Sequence, residues 1–168
     1  MTTTDGPAIA AGIYVNVGGP AYTDDRGRAF MADNLGNAGR TATSQSAIAG
    51  TVNDPLYQSN RYGNMQLDFP VANGTYQIEL HFAETYFSAA GSRVFHVDVE
   101  GERDLTNYDI IDEAGGPRTA VVEHLTVEVT DGNLDIDFIN VTDNAKISGI
   151  AIYESDNVND GGAAQQNR

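Results

Sequence analysis

Three kinds of side chain in this sequence could carry chemistry: imidazoles, carboxylates and aromatics placed in loops. The histidines are His81, His96 and His124. Each falls inside an alternating stretch, at the parity opposite to the apolar residues, so the pattern puts all three on solvated strand faces. No ligand spacing such as His-x-His links them, and a metal site is not expected. Among 24 Asp and Glu residues, no pair stands out as the acid and base of a glycoside hydrolase. Asp135 and Asp137 alternate with Leu134, Ile136 and Phe138 and read as the wet face of a strand. Ser44 and Ser46 lack a nucleophile-elbow setting, and glycine motifs that cradle phosphate are absent. The chain is expected to be no enzyme and to need no cofactor.

The aromatics point elsewhere. Residues 81–87 read HFAETYF, and there the alternation of Tyr76, Ile78, Leu80 and Phe82 with Gln77, Glu79 and His81 gives way to a loop. One member of the adjacent pair Tyr86–Phe87 could enter a core, but both together suggest a platform at the surface. Tyr57 and Tyr62 lie in a second such segment, LYQSNRYG (56–63). Sugar rings present flat C–H faces bordered by hydroxyls. Stacked aromatic rings and rim donors or acceptors suit that geometry. Glu84 is expected to orient the loop by accepting backbone N–H groups.

These residues need a scaffold, and the sequence supplies short strands. IYVNV (13–17), MQLDFPV (65–71), TYQIELHF (75–82), RVFHVDVEG (93–101), VVEHLTVEV (121–129), LDIDFINV (134–141) and KISGIAIYE (146–154) read as strands. Ala72-Asn73-Gly74 and Thr130-Asp131-Gly132-Asn133 each sit between two such runs, and both predict hairpins. Residues 20–60 read as loop-rich, and IIDEAGG (110–116) allows one helical turn. The pattern predicts an all-β fold, an antiparallel β-sandwich of jelly-roll type, with functional loops at the sheet ends. An N-terminal extension (1–12), one domain (13–154) and a polar tail or linker (155–168) complete the expected organisation.

The formal net charge is −15, there are no cysteines, and Lys146 is the only lysine. Such a field repels phosphate backbones, so nucleic acid is excluded as a partner. Abundant Asp with scarce Lys is also the composition that stays hydrated in concentrated salt, and a halophilic source is expected. No apolar run reaches the roughly 20 residues that span a bilayer. The N-terminus lacks the basic and apolar regions of a secretory signal, so the chain is expected to be a segment of a larger protein.

The run from Ile13 to Tyr153 resembles the malectin domain family of carbohydrate-binding modules. The stretches that carry the resemblance are YVNVGGPAYTD (14–24), DPLYQSNRYG (54–63), GTYQIELHFAETYF (74–87), RVFHVDVEG (93–101), YDIIDEAG (108–115) and DNAKISGIAI (143–152). The resemblance implies a β-sandwich and, residue by residue, sugar contacts at Tyr62, Tyr86, Phe87 and Asp143. A further loop tyrosine of the family's animal member has no aromatic counterpart, because that region here reads GRTATSQSAIAG (39–50). The animal member recognises glucosylated N-glycans in the endoplasmic reticulum, and microbial relatives are modules of surface or secreted proteins. The resemblance thus implies an extracellular or cell-surface module for gluco-oligosaccharides or related glycans, flanked by other domains. The alternative is a structural or adhesive module of a surface assembly that binds no sugar. Glu84 and Tyr57 are expected in supporting positions.

The charge balance yields the first prediction. The thermal midpoint should rise by ~3 °C or more between low and molar sodium chloride, as repulsion among carboxylates is screened. A midpoint that stays flat or falls would count against adaptation to salt.

Overall fold

A computed structural model gives the structure of residues 12–155. The expected extension and tail lie, apart from Gly12 and Ser155, outside the described residues. β1 (Gly12–Asn16), β2 (Tyr22–Thr23), β3 (Ala29–Ala32) and β4 (Arg40–Thr43) are followed by the single turn α1 (Asp54–Tyr57). β5 (Ser59–Tyr62), β6 (Met65–Pro70), β7 (Gly74–Phe82), β8 (Val94–Val99) and β9 (Glu102–Tyr108) lead to α2 (Ile110–Ala114). β10 (Val121–Val129), β11 (Asn133–Thr142), β12 (Lys146–Ile147) and β13 (Gly149–Glu154) follow. Strands make up 53 % of the described residues and helices 6 %, so the fold is all-β. The helical turn α2 forms where it was expected. Asp109 caps it by accepting Asp112 N–H, and Gly115 ends it in the left-handed region.

The strands form a six-stranded sheet in the order β10-β7-β13-β1-β3-β2, a four-stranded sheet β6-β11-β8-β9 and a three-stranded sheet β12-β5-β4. Pairing is antiparallel except between β1 and β3. The main core lies between the two larger sheets. Ile78, Leu80 and Phe82 of β7, with Ile150 and Ile152 of β13, meet Leu67 and Phe69 of β6, Leu134, Ile136 and Phe138 of β11, and Phe95, Val97 and Val99 of β8. All are fully buried or nearly so, and their period of two follows from the pleat.

Neither expected hairpin forms. β6 pairs with β11 while β7 pairs with β10 and β13, so the Asn73-Gly74 turn crosses from one sheet to the other. The turn between β10 and β11 crosses as well, and Gly132 N–H donates to Asn73 Oδ1 at 2.8 Å to hold the two crossings together. Alternation buries one face of a strand whether its neighbour in sequence lies beside it or across the core. The turn signals were therefore correct and the pairing was not.

A second correction concerns the other face of β7. Residues 22–57, expected to be mostly loop, contribute β2, β3, β4 and α1, and part of this segment covers that face. Tyr14, Phe30, Leu56, Tyr57 and Ala83 form a second buried cluster there. His81 is consequently 4 % exposed and Glu79 3 %, not solvated. Glu79 accepts from Arg28 Nη1 at 3.0 Å, His81 Nε2 at 3.0 Å and the Tyr153 hydroxyl at 2.8 Å. Arg28 Nε in turn donates to Asp24 at 2.8 Å. Tyr57, expected near the binding surface, is 3 % exposed, and its hydroxyl is 2.8 Å from His81 Nδ1. It belongs to the interior because α1 turns it inward. Of the other histidines, His96 is half-buried and accepts from Asn107 N–H at 3.0 Å, and His124 is exposed.

Burial alone would raise the Glu79 carboxyl. The hydrogen bonds from His81, Arg28 and Tyr153 outweigh it and hold the group well below the usual carboxylate range. Stability from this lowered pKa is present above the ordinary glutamate range and is lost only as pH falls through the folded-state value. Glu79→Gln leaves Arg28 and His81 short of an acceptor and should cost about 3 kcal/mol in urea denaturation at neutral pH. An unchanged midpoint would show that Asp24 alone suffices for Arg28.

Candidate functional site

β7 and β11 belong to different sheets but run from the crossing turns to the same end of the sandwich. At that end β7 passes into a loop at Ala83, and Glu84 turns its side chain back over it. The carboxylate is 1 % exposed as a residue. Its Oε2 accepts Tyr86 N–H at 3.1 Å and Phe87 N–H at 3.2 Å. Arg93, just before β8, donates Nε to Oε1 at 2.6 Å and Nη2 to Oε2 at 3.2 Å. Arg93 Nη1 also donates to Asn144 O at 2.7 Å, which joins this loop to the one after β11.

Lys146 of β12 lies beneath. Its Nζ donates to Thr85 Oγ1 at 2.7 Å and stands 3.9 Å from Glu84 Oε2. Burial opposes the charge on the Glu84 carboxyl, but the Arg93 hydrogen bonds and the Lys146 and Arg93 charges together hold it below the usual range. Burial pushes the Lys146 amine down to about 8, with the Glu84 charge acting the other way.

On this base sits a cleft of about 460 Å³. Tyr86, 81 % exposed, and Thr85 line it from the β7 loop. Asp143 and Asn144 line it from the β11 loop, Asn60 and Tyr62 from β5, and Lys146 and Arg93 from below. The remaining wall is Ala42, Thr43 and Ser44, within the stretch 39–50 that carries no aromatic residue. That side of the cleft offers hydroxyls in place of a ring.

The structure separates the expected aromatic pair. Tyr86 lines the cleft, whereas Phe87 is half-buried behind it. The two rings meet edge to face at 4.8 Å, and the Arg93 guanidinium lies 5.2 Å over the Phe87 ring. With Arg93 over one of its faces, Phe87 is a support for Tyr86. Tyr62 stands across from this loop, its backbone paired with Lys146 on one side and Arg40 on the other. Its strand is placed by the bidentate pair of Arg61 with Asp33, at 2.8 and 2.7 Å. The VGGP turn packs on the same strand. Gly18 has φ +76°, and a Cβ there would lie 2.4 Å from Asn60 O.

Asp143 has φ +58°. Its side chain is 43 % exposed at the cleft, and Oδ2 accepts Asn144 N–H at 2.9 Å. One carboxylate therefore shapes the turn and faces the cleft. Lys146, Arg93, Asn60 and Thr85 were not anticipated in the cleft. Lys146 carried a usable signal, since a lone lysine amid alternating apolar residues in so acidic a chain is out of place. Among the described residues, no group of three or more His, Asp or Glu side chains is arranged to hold a metal ion.

A sandwich whose joined end-loops enclose a polar cleft beside an exposed tyrosine has the form of a small-molecule binding module. Comparison with known proteins gives it a family. A family model described as the malectin domain matches residues 12–159. Human malectin is 32 % identical over 130 residues, covering 73 % of this chain and 44 % of its own length. Malectin-B of Xenopus laevis gives 32 % over 130 residues, covering 73 % and 47 %. A probable leucine-rich repeat receptor-like serine/threonine-protein kinase of Arabidopsis thaliana is 33 % identical over 120 residues, covering 64 % of this chain and 12 % of its length. The chain thus spans less than half the length of these relatives. A β-glucuronidase of Bacteroides uniformis superposes with a TM-score of 0.77 at 23 % identity, over 86 % of this chain and 18 % of that one. The ANXUR2 extracellular domain of Arabidopsis thaliana gives 0.76 at 20 % identity, over 93 % and 51 %. These two likenesses are of fold. The chain belongs to the malectin domain family, and with it to the class of carbohydrate-binding modules.

The Lys146 amine gives a pH prediction. Unfolding restores its ordinary pKa near 10.4. Between about pH 8 and 10 the unfolded chain holds a proton that the folded protein has released, so stability rises with pH. The gain should be of order 1–2 kcal/mol in urea midpoints at about pH 7.5 and 9.5. Lys146→Met, which keeps the stem and removes the amine, should lack that gain. Equal slopes for parent and variant would place the amine in water.

Proposed function

We propose that the cleft binds gluco-oligosaccharides or related glycans without catalysis, with a pyranose ring on Tyr86. The observation that carries this reading is the exposure of Tyr86, 81 %, beside hydrogen-bonding groups from four segments. A large ring standing in solvent on a loop fixed by a buried ion cluster, at the mouth of a polar cleft, supports a ligand contact there. Tyr62 faces the sugar from β5, Phe87 braces Tyr86, and Glu84 fixes the loop before any ligand arrives, which lowers the ordering cost of binding. Asp143 takes a ring hydroxyl with Oδ1, the carboxylate oxygen left by its own turn. Because Thr43 and Ser44 line the opposite wall with hydroxyls, one ring face is stacked and the rim hydroxyls are hydrogen-bonded from that side.

The setting we infer is extracellular or at a cell surface, within a larger protein. The receptor-like kinase relative and the extracellular ANXUR2 domain support this. Among the described residues no helix is long and apolar enough to cross a membrane.

Titration with maltose and longer gluco-oligosaccharides tests the reading. Tyr86→Ala should weaken binding by about 1–3 kcal/mol at unchanged thermal stability. Asp143→Asn should weaken it too, while its φ remains acceptable to asparagine. Asp143→Gly removes the carboxylate without backbone strain and separates turn formation from contact. If the parent binds none of a broad glycan array, the sandwich acts as a structural or adhesive module. If the glycine variant binds as the parent does, Asp143 only forms the turn.

A further inference from the structure

A second cleft of about 510 Å³ adjoins the first, and the two share Tyr62 and Asn144. Asn37, Gly39, Arg40 and Gly63 complete its lining. Its charge is unlike that of the rest of the molecule. The chain has 24 acidic residues against 9 basic ones, yet no carboxylate lines this cleft and an arginine does. Arg28, Arg61, Arg93 and Arg103 each pair with an acid. Arg40 is exposed, and among the described residues its guanidinium has no ion pair or hydrogen-bond partner. Gly63 leaves the floor open, since a Cβ there would find nothing nearer than Gly39 Cα at 3.9 Å.

The shared wall gives the two clefts a connection that a linear ligand can follow. A saccharide unit held against Tyr86 and Tyr62 continues over Tyr62 and Asn144 toward Arg40. A guanidinium offers a planar fork of donors that suits carboxylate or sulfate, and a neutral hydroxyl uses it poorly. From the carboxylate-free lining, the unpaired Arg40 and the common wall, we infer that the second cleft is a subsite for a sugar unit bearing an anionic group, with Arg40 as its specificity-determining residue. The ligand class is then an acidic oligosaccharide that spans both clefts. This inference rests on the sugar-binding reading of the first cleft.

Calorimetric titration of the parent protein and Arg40→Gln, at physiological ionic strength, separates the two. The probes are a neutral gluco-tetrasaccharide, a uronate tetrasaccharide and a sulfated tetrasaccharide. The parent should bind one of the charged probes about ten-fold more tightly than the neutral one. Arg40→Gln should remove that advantage and leave neutral binding within about two-fold, because Arg40 lies outside the first cleft. The charged probe that shows the advantage identifies carboxylate or sulfate as the recognised group. Neutral binding with no preference for either charged probe overturns the subsite and leaves the first cleft's assignment standing. A preference that survives Arg40→Gln overturns the role of Arg40. Failure of all three probes to bind the parent overturns both readings.

Discussion

A carboxylate taken out of water must be met by donors on every side, and at Glu84 those donors come from three segments of the chain. Two are backbone N–H groups of its own loop, one is the guanidinium at the start of β8, and one is the ammonium of β12. Meeting that demand fixes the site. The loop cannot relax without stripping the acid of Tyr86 and Phe87 N–H. Arg93 cannot leave without exposing both Glu84 and the Asn144 carbonyl. A buried ion cluster of this kind adds little net stability when compared with apolar packing, but breaking any part of it is costly. Its use here is positional, since it keeps one tyrosine standing in solvent at the end of the sandwich.

The second buried cluster, around Glu79, has a different task. It lies on the face of β7 away from the main core, where Arg28 and Tyr57 bring in the covering segment. β7 is thus buried on both faces, with hydrocarbon on one and a saturated polar network on the other. The strand that carries Glu84 to the site is held from both sides, so the geometry at its end inherits little freedom from below.

Much of this was legible in the residues. Strand positions, the all-β class, the turn at 110–116 and the emergence of Tyr86 at a sheet end all follow from periodicity and turn chemistry. The failures have one physical origin: period-two alternation marks which residues share a face, and says nothing of what covers that face. Glu79 and His81 carry the signature of a wet face and lie under Phe30 and Tyr57. The crossing turns look like hairpins for the same reason. Tyr57 and Phe87 show the limit for aromatics, since a ring beside a loop can point either way and only the neighbouring Arg93 or His81 reveals which. Lys146 sits in an apolar register that would suit leucine, and its partner lies about sixty residues away in sequence.

The crossing turns also bear on how the chain is made. β7 lies between β10 and β13, and both are later in sequence. β1 likewise finds its antiparallel partner only in β13, the last described strand. As the polypeptide leaves the ribosome, β7 emerges with both edges open and its preceding neighbour committed to the opposite sheet. It waits for most of the domain to be synthesised before either edge is closed. Topologies dominated by such distant pairings fold slowly, and open strand edges are where nascent chains associate. A dense acidic charge, carried by every copy, keeps those waiting strands apart.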